Sequence, residues 1–283
     1  MTCVHPREVK GTTLSSRLFF LRTGKYPSVP CGQCMPCRIM RSLEWSVRLR
    51  DELGYWSSSC FLTLTYDDEN IPPFGSLRKA HVQSFIRSLR LYMAVKNEKI
   101  KYYFVGEYGS NTFRPHYHAI IFGFYPDDID CHHSSLELRD IWSYGFNYVG
   151  KVENDSIQYV TGYIRKKLLG KGSQVKYSGS GLEPPFSLSS NGIGQRYFDD
   201  HYEEVVKGRT FHGDPVVTPR YYKKKFGIRE KRGLQQEGVN QSCLDLIEAN
   251  KLGISLFQAQ LGDRKARESA SEWKESNFKR GSI

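Results

Sequence analysis

Hydrophobic positions along the chain recur with two periods, and the switches between them mark out the secondary structure. The stretch CFLTLTYDD (60–68) alternates apolar and polar residues of high strand propensity, which predicts a central strand. Over 78–95, Val82, Phe85, Leu89 and Tyr92 recur at three- and four-residue spacing with Arg and Lys between them, which predicts an amphipathic helix. KIKYYFVGEYG (99–109) and FRPHYHAIIFG (113–123) then read as two strands joined by a short connection. A helix is expected at RIMRSLEWSVRLRDEL (38–53), another near 135–143, and a short strand at NYVGKV (147–152). A last helix is expected over 156–169, with Asp155 or Ser156 as N-cap and Gly170 closing it. This order predicts an α+β domain from about 57 to 170, an antiparallel sheet with flanking helices.

The same periods assign side chains to faces. In the strand 113–123, His116, His118 and Ile120 share one face and Tyr117, Ala119 and Ile121 the other. If residues 101–107 and 116–122 pair as a hairpin, the simplest register sets Glu107 opposite His116, with Cβ atoms about 5 Å apart. One carboxylate and two imidazoles then converge. That mixed oxygen and nitrogen set suits a divalent ion that polarises a phosphodiester more than it suits a closed structural zinc. The alternative is an ordinary surface glutamate beside two half-exposed histidines.

Winding 156–169 as a helix puts Ile157, Val160, Ile164 and Leu168 on one stripe, and Tyr159, Tyr163, Lys166 and Lys167 on the other side. Tyr159 and Tyr163 therefore lie one turn apart, off the core stripe. A phenol of pKa about 10 is a weak nucleophile. It becomes useful when a metal polarises the target phosphate and nearby cations favour the phenolate, and two phenols permit two successive transesterifications. Without such a metal the pair reads as exposed aromatics, or as rings docked against the C-terminal segment.

Composition narrows the class of partner. The 283 residues carry a formal net charge of +11, with 39% hydrophobic and 13% aromatic residues. YIRKKLLGKG and PRYYKKKFGIREKRG concentrate cations beside aromatic rings, which suits phosphate neutralisation and base stacking, with Lys167, Arg220, Lys223, Lys224 and Lys225 as DNA-binding candidates. No apolar run is long enough for a membrane span and the start MTCVHPREVK has no apolar signal core, so an intracellular protein with no membrane partner is expected.

Of the seven cysteines, Cys3, Cys31, Cys34 and Cys37 lie early, the last three in PCGQCMPCR. Three thiolates at this spacing can reach one ion, with Cys3 or His5 as the fourth ligand of a structural zinc. Free thiols and an iron–sulfur cluster are the alternatives. Three segments result: 1–56 with the Cys cluster, 57–170 as the α+β domain, and 171–283 as a basic extension whose polar tail has the composition of a disordered segment.

FLTLTY (61–66), GEYG with RPHYH (106–118) and YVTGYIRKK (159–167) resemble the three motifs of HUH endonucleases. In detail they resemble the replication initiation proteins of microviruses, particularly gokushoviruses, and CGQCMPCR, PPFSLSSNGIG and TPRYYKKK extend the likeness over most of residues 1–226. Histidines precede tyrosines, as in replication initiators, whereas conjugative relaxases have the reverse order.

The resemblance implies a core of the RRM/ferredoxin-like type. It implies Mg²⁺ or Mn²⁺ on His116 and His118, completed by Glu107, with Tyr159 and Tyr163 as nucleophiles and Lys166 as a catalytic cation. It also implies rolling-circle initiation in the cytoplasm of a bacterial host. There the enzyme would nick supercoiled origin DNA, hold the 5′-phosphate on tyrosine, and work with the host helicase and polymerase before the displaced single strand is closed. The family pattern places Lys three residues after each tyrosine, and Gly162 departs from it after Tyr159. The competing classes are a non-catalytic zinc-containing nucleic-acid-binding protein and a single-strand HUH transposase.

Overall fold

A computed structural model describes residues 3–9, 20, 23–109, 112–166, 177–208, 210–211 and 214–227. The chain divides into two compact units, 42–217 and 1–41 with 218–283. Among the described residues no helix is long and apolar enough to cross a membrane. The first two strands, β1 (Arg7–Glu8) and β2 (Ser28–Val29), are two residues each and pair with one another.

The unit 42–217 is the expected α+β domain. Its sheet holds β3 (Ser59–Tyr66), β4 (Lys101–Tyr108), β5 (Pro115–Phe122), β6 (Gly145–Lys151) and β7 (Phe186–Ser189), in the order β6-β3-β5-β4-β7. Every neighbouring pair is antiparallel. The period-two pattern of β3 appears directly as burial: Cys60, Leu62, Leu64 and Tyr66 are buried, and the residues between them are partly exposed.

Each face of the sheet has its own core. On one, Tyr103, Val105, Ile120 and Phe122 pack with Leu49 of α1 (Met35–Leu53) and with Ile157, Val160 and Ile164 of the helix Asn154–Lys166. On the other face, α2 (Lys79–Val95) presents Val82, Phe85, Ile86, Leu89 and Met93 to Leu62, Leu64, Phe104, Tyr117 and Ile121. The short α3 (Leu136–Ile141) adds Leu138 to that second side, next to Trp142. The helix Asn154–Lys166 is α4, and the stripe expected for it is thus the buried one, although Leu168 lies outside the described residues.

Two expectations are corrected. Helix α4 begins at Asn154, so Asp155 and Ser156 lie inside its first turn, and the Ser156 hydroxyl accepts from the Glu153 N–H at 2.8 Å. Strand β7 departs from the loop character expected of a stretch rich in Gly, Ser and Pro. It is four residues long and sits at the sheet edge beside β4, where three-dimensional pairing overrides weak local preference. Beyond it come α5 (Gln195–Asp200) and α6 (Tyr202–Lys207).

Two polar clusters fix α1 and α4 against the sheet. The Ser42 hydroxyl donates to the Thr161 carbonyl at 2.9 Å, and Ser46 and Thr161 join their hydroxyls at 2.6 Å. Because Thr161 Oγ1 donates to the Ile157 carbonyl, Ser46 supplies the hydrogen of that second bond. The second cluster is built on Glu52, which is 1% exposed. It accepts from the Trp56 indole at 2.8 Å, from Lys101 Nζ at 2.8 Å and from the Gly194 N–H at 2.7 Å. Removing this carboxylate leaves three donors without their acceptor, one of them a cation. Glu52→Ala is expected to lower stability by about 3 kcal/mol, and Glu52→Gln by less. A urea midpoint unchanged in Glu52→Ala would show that the cluster contributes nothing to folding.

Candidate metal centre and tyrosine pair

The site begins with a strand register. β4 and β5 pair so that Glu107 is opposite His116 and Val105 is opposite His118, the arrangement expected from the sequence. The connecting turn is closed by the Gly109 N–H donating to the Arg114 carbonyl at 3.0 Å. Arg114 anchors it further, its guanidinium bonding the Tyr66 carbonyl at 3.2 and 2.7 Å and Asp68 at 2.7 Å.

Glu107 Oε1 then lies 2.9 Å from His116 Nε2 and 3.5 Å from His118 Nε2. The two imidazoles stand edge to face, with centroids 5.0 Å apart. Glu107, His116 and His118 offer one ligand atom each, all within 4.8 Å of one another. The far ring nitrogens are engaged elsewhere: His116 Nδ1 donates to the Arg114 carbonyl at 3.0 Å, and His118 Nδ1 bonds the Thr63 hydroxyl at 2.9 Å. A carbonyl only accepts, so the Nδ1 hydrogen of His116 is fixed and Nε2 is the atom turned towards the carboxylate. Two Nε2 atoms and one carboxylate oxygen on one side of a sheet, each ring aimed from behind, fit a divalent cation of the Mg²⁺, Mn²⁺ or Zn²⁺ type.

The sequence alone does not single out Thr63. Its place in FLTLTY looks like strand propensity, and only the β3–β5 register, which pairs Thr63 with His118, gives it a role.

Helix α4 lays its tyrosines over this group. The Tyr163 ring stacks on His118 at 5.2 Å with 6° between planes, and Tyr159 meets His118 edge-on at 5.1 Å. The two phenols are themselves 5.1 Å apart, and Phe61 packs against both His118 and Tyr159. Tyr159 is the outer member, 49% exposed, whereas Tyr163 packs against the core of that face.

The electrostatics follow from this packing. Burial works to raise the Glu107 pKa, but hydrogen bonds from His116, His118 and the Tyr163 hydroxyl outweigh it and hold the carboxyl at about 2. Its folded value being depressed, Glu107 contributes stability above the ordinary carboxylate range that is lost as pH falls towards 2. Burial raises the Tyr163 phenol, as do its bond to Tyr159 and the Glu107 charge. The Tyr159 phenol is also raised, first by burial and then by Glu107, against a bond to Tyr163 that lowers it. The charged neighbour of both phenols in this set is therefore an anion, and a cation held on Glu107 and the histidines would reverse the sign of the local field.

Lys166 is the last residue of α4, but its side chain, like all of Lys167, lies outside the described residues. The space opened by Gly162 is used by a neighbour, since a Cβ there would meet Arg165 Nη2 at 3.1 Å. Arg220, Lys223, Lys224 and Lys225 belong to the other unit. They lie in a helical stretch over 220–227, with Arg220, Lys223 and Lys224 exposed and Lys225 Nζ 5.6 Å from the Tyr221 ring.

The Cys cluster also lies in that unit. Cys3 comes ahead of β1 and Cys31 just after β2. Cys34 and Cys37 flank the start of α1. Cys3 Sγ is 3.7 Å from Cys34 Sγ, Cys31 Sγ is 4.0 Å from Cys37 Sγ, and all four sulfurs lie within 4.8 Å of one another. A tetrahedron of thiolates around one ion at about 2.3 Å has edges of about 3.8 Å. The spacing thus fits a single ion, with Cys3 rather than His5 as the fourth ligand. Burial would raise the Cys31 thiol, but the N–H groups of Cys34 and Gln33 bring it down to about 6.

Known proteins resemble this chain over the same regions. Residues 59–168 match the family model of the replication-associated protein ORF2 type. The replication-associated protein VP4 of Bdellovibrio phage phiMH2K is 33% identical over 212 residues, 68% of this chain and 65% of that protein. The replication-associated protein ORF2 of Spiroplasma virus 4 is 30% identical over 255 residues, 83% of this chain and 77% of that one. The replication-associated protein ORF4 of Chlamydia phage 1 is 28% identical over 211 residues, 69% of this chain and 52% of that protein. The chain thus spans less than two thirds of the phiMH2K and Chlamydia phage 1 proteins. No solved structure matches.

Thr63 gives the test of the metal centre that disturbs no ligand. Thr63→Val removes the hydroxyl behind His118 and is expected to weaken Mn²⁺ binding, measured calorimetrically, about tenfold or more while the circular dichroism spectrum stays unchanged. Equal affinity in the variant would detach Thr63 from the site.

Proposed function

Because the chain belongs to the family of phage replication-associated proteins, we propose that it initiates rolling-circle replication by nicking one strand of phage origin DNA through a tyrosine nucleophile. The observation that carries this reading is the stacking of Tyr163 and Tyr159 on His118, which puts both phenols against the carboxylate and imidazole group.

In this reading His116, His118 and Glu107 hold Mg²⁺ or Mn²⁺. The bound ion polarises the scissile phosphodiester and offsets the charge that develops on it. The residues of the chain do the rest. Glu107 orients the Tyr163 hydroxyl, and the phenolic oxygen forms a bond to phosphorus while the bond to the 3′-oxygen breaks. The phenolic proton leaves and a proton completes the 3′-OH, so the charge balances. The 5′-phosphotyrosine remains a diester, and its displacement by a 3′-OH closes a circle without further energy input. Tyr159, on the adjacent turn, makes the second cut at the regenerated origin. Single-stranded and supercoiled origin DNA are the substrates. The 3′-OH left behind serves a host polymerase and helicase in the bacterial cytoplasm.

The Cys3, Cys31, Cys34 and Cys37 thiolates hold a structural Zn²⁺ in this account. The closed ligand set with no open position supports that role. Arg220, Lys223, Lys224 and Lys225, with Lys167, contribute to binding the DNA backbone.

Nicking of supercoiled origin DNA with Mn²⁺, followed by gel separation of covalent protein–DNA adducts, tests the reading. His116→Ala and His118→Ala are expected to lose nicking and keep single-strand binding. Tyr163→Phe is expected to lose the first cleavage of a single-stranded origin oligonucleotide, and Tyr159→Phe to keep it but fail at circle closure. A wild-type protein that binds the origin without nicking it, or a Tyr159→Phe Tyr163→Phe protein that still forms adducts, would defeat the proposal.

A second measurement addresses the thiolates. Elemental analysis of protein purified without added metal is expected to give one zinc per chain, lost in Cys34→Ser together with structure in the Cys segment. Metal-free protein with its full fold would refute the zinc assignment.

A further inference from the structure

Strand β6 carries two large aromatic rings that neither core uses. Phe146 is 62% exposed and Tyr148 is 44% exposed, with His133 beside the Tyr148 ring at 5.2 Å. Their neighbours Asn147 and Val149 point the other way and are buried. A sheet edge exposed to water is satisfied by Thr or Lys at such positions, so the rings call for an occupant rather than a packing role.

The register places them relative to the metal centre. Phe146 is opposite Thr65 and Tyr148 opposite Thr63, while Thr65 and Thr63 are opposite His116 and His118. Phe146, Tyr148, Thr63, Thr65, His116 and His118 therefore face the same way on three adjacent strands. The rings stand two strand spacings from the histidines, about 10 Å, and about 7 Å from each other along β6. Gly150 continues the row, and a Cβ there would meet Phe61 Cδ1 and Tyr148 Cε1, both at 3.6 Å. Phe61 in turn packs on His118 and Tyr159. The aromatic surface is thus continuous from the sheet edge to the proposed reacting phosphate.

We infer that Phe146 and Tyr148 form a stacking shelf for unpaired bases of the DNA strand whose phosphate is held at Glu107, His116 and His118. The inference rests on the proposed function for the position of that phosphate. Single-stranded DNA is the occupant that fits: successive unstacked bases present flat apolar faces at intervals a strand of alternating rings can follow, and the chain's net charge of +11 attracts the backbone. In a duplex the bases are stacked on one another and not available, so the shelf selects an opened origin. A base placed about 10 Å from the reacting phosphate is within one or two nucleotides of the cut.

Anisotropy of fluorescein-labelled oligo-dT with the full chain measures the shelf. Phe146→Ala and Tyr148→Ala are each expected to raise Kd at least about fivefold, with the dependence of log Kd on log salt unchanged, because stacking is lost and phosphate contacts are kept. Tyr148→Phe and Phe146→Tyr keep a flat ring and are expected to bind like the unsubstituted protein. Alanine variants that bind as tightly as the unsubstituted protein, or ring-preserving variants as weak as alanine, would overturn the shelf. Photocrosslinking of 5-iododeoxyuridine oligonucleotides to the unsubstituted protein needs no variant to fold, and peptides containing Phe146 or Tyr148 are expected among the adducts. Crosslinks confined to other segments would overturn the shelf while leaving nicking untouched. Shelf crosslinks in a protein that does not nick would support the shelf and count against the proposed function alone.

Discussion

The pairing of Glu107 with His116 across the β4–β5 hairpin is the constraint on which the rest of the site depends. Side chains of a strand alternate faces, so a slip of one residue would send Glu107 into the opposite core and leave the imidazoles without a carboxylate. Several independent features hold the register. Arg114 is anchored on Tyr66 and Asp68, β3 and β7 bracket the hairpin, and Tyr117 on the reverse face bonds Tyr66 and the Arg78 N–H. The buried hydroxyl network behind the sheet therefore serves the chemistry in front of it.

The tyrosine helix is positioned by a separate set of contacts. Ile157, Val160 and Ile164 bind it to the sheet, and the Ser42, Ser46 and Thr161 hydroxyls lock it against α1. Small hydroxyl side chains at that seam allow a close helix approach and fix rotation about the helix axis by directional bonds. Rotation decides whether Tyr159 and Tyr163 face His118 or solvent. With both rings about 5 Å from one imidazole, either phenol is within a small movement of the same group.

Much of this is legible in the chain because the deciding information is local. Alternation in CFLTLTYDD and in the histidine strand, and the helical spacing of Val82, Phe85 and Leu89, assign faces without knowledge of the partner element. The hairpin register is legible because its two strands are adjacent in sequence. What is not legible comes from elements distant along the chain. β7 forms because β4 offers it an edge, Thr63 acquires its role by lying opposite His118, and Glu52 becomes a hub only when Lys101 and Gly194 are brought to it. The cations expected beside the tyrosines illustrate the same limit: the field at the phenols within the described set is governed by Glu107, which lies on a strand far from α4 in sequence.

Crystals grown with Mn²⁺ and measured at the manganese absorption edge would test the central claim most directly, since anomalous scattering locates the ion without reference to activity. The account expects a peak bounded by His116 Nε2, His118 Nε2 and a Glu107 carboxylate oxygen, with both tyrosine rings still over it. A manganese peak elsewhere, with this group intact and metal-free at saturating Mn²⁺, would contradict the claim that the hairpin register exists to hold a metal beneath the tyrosine pair.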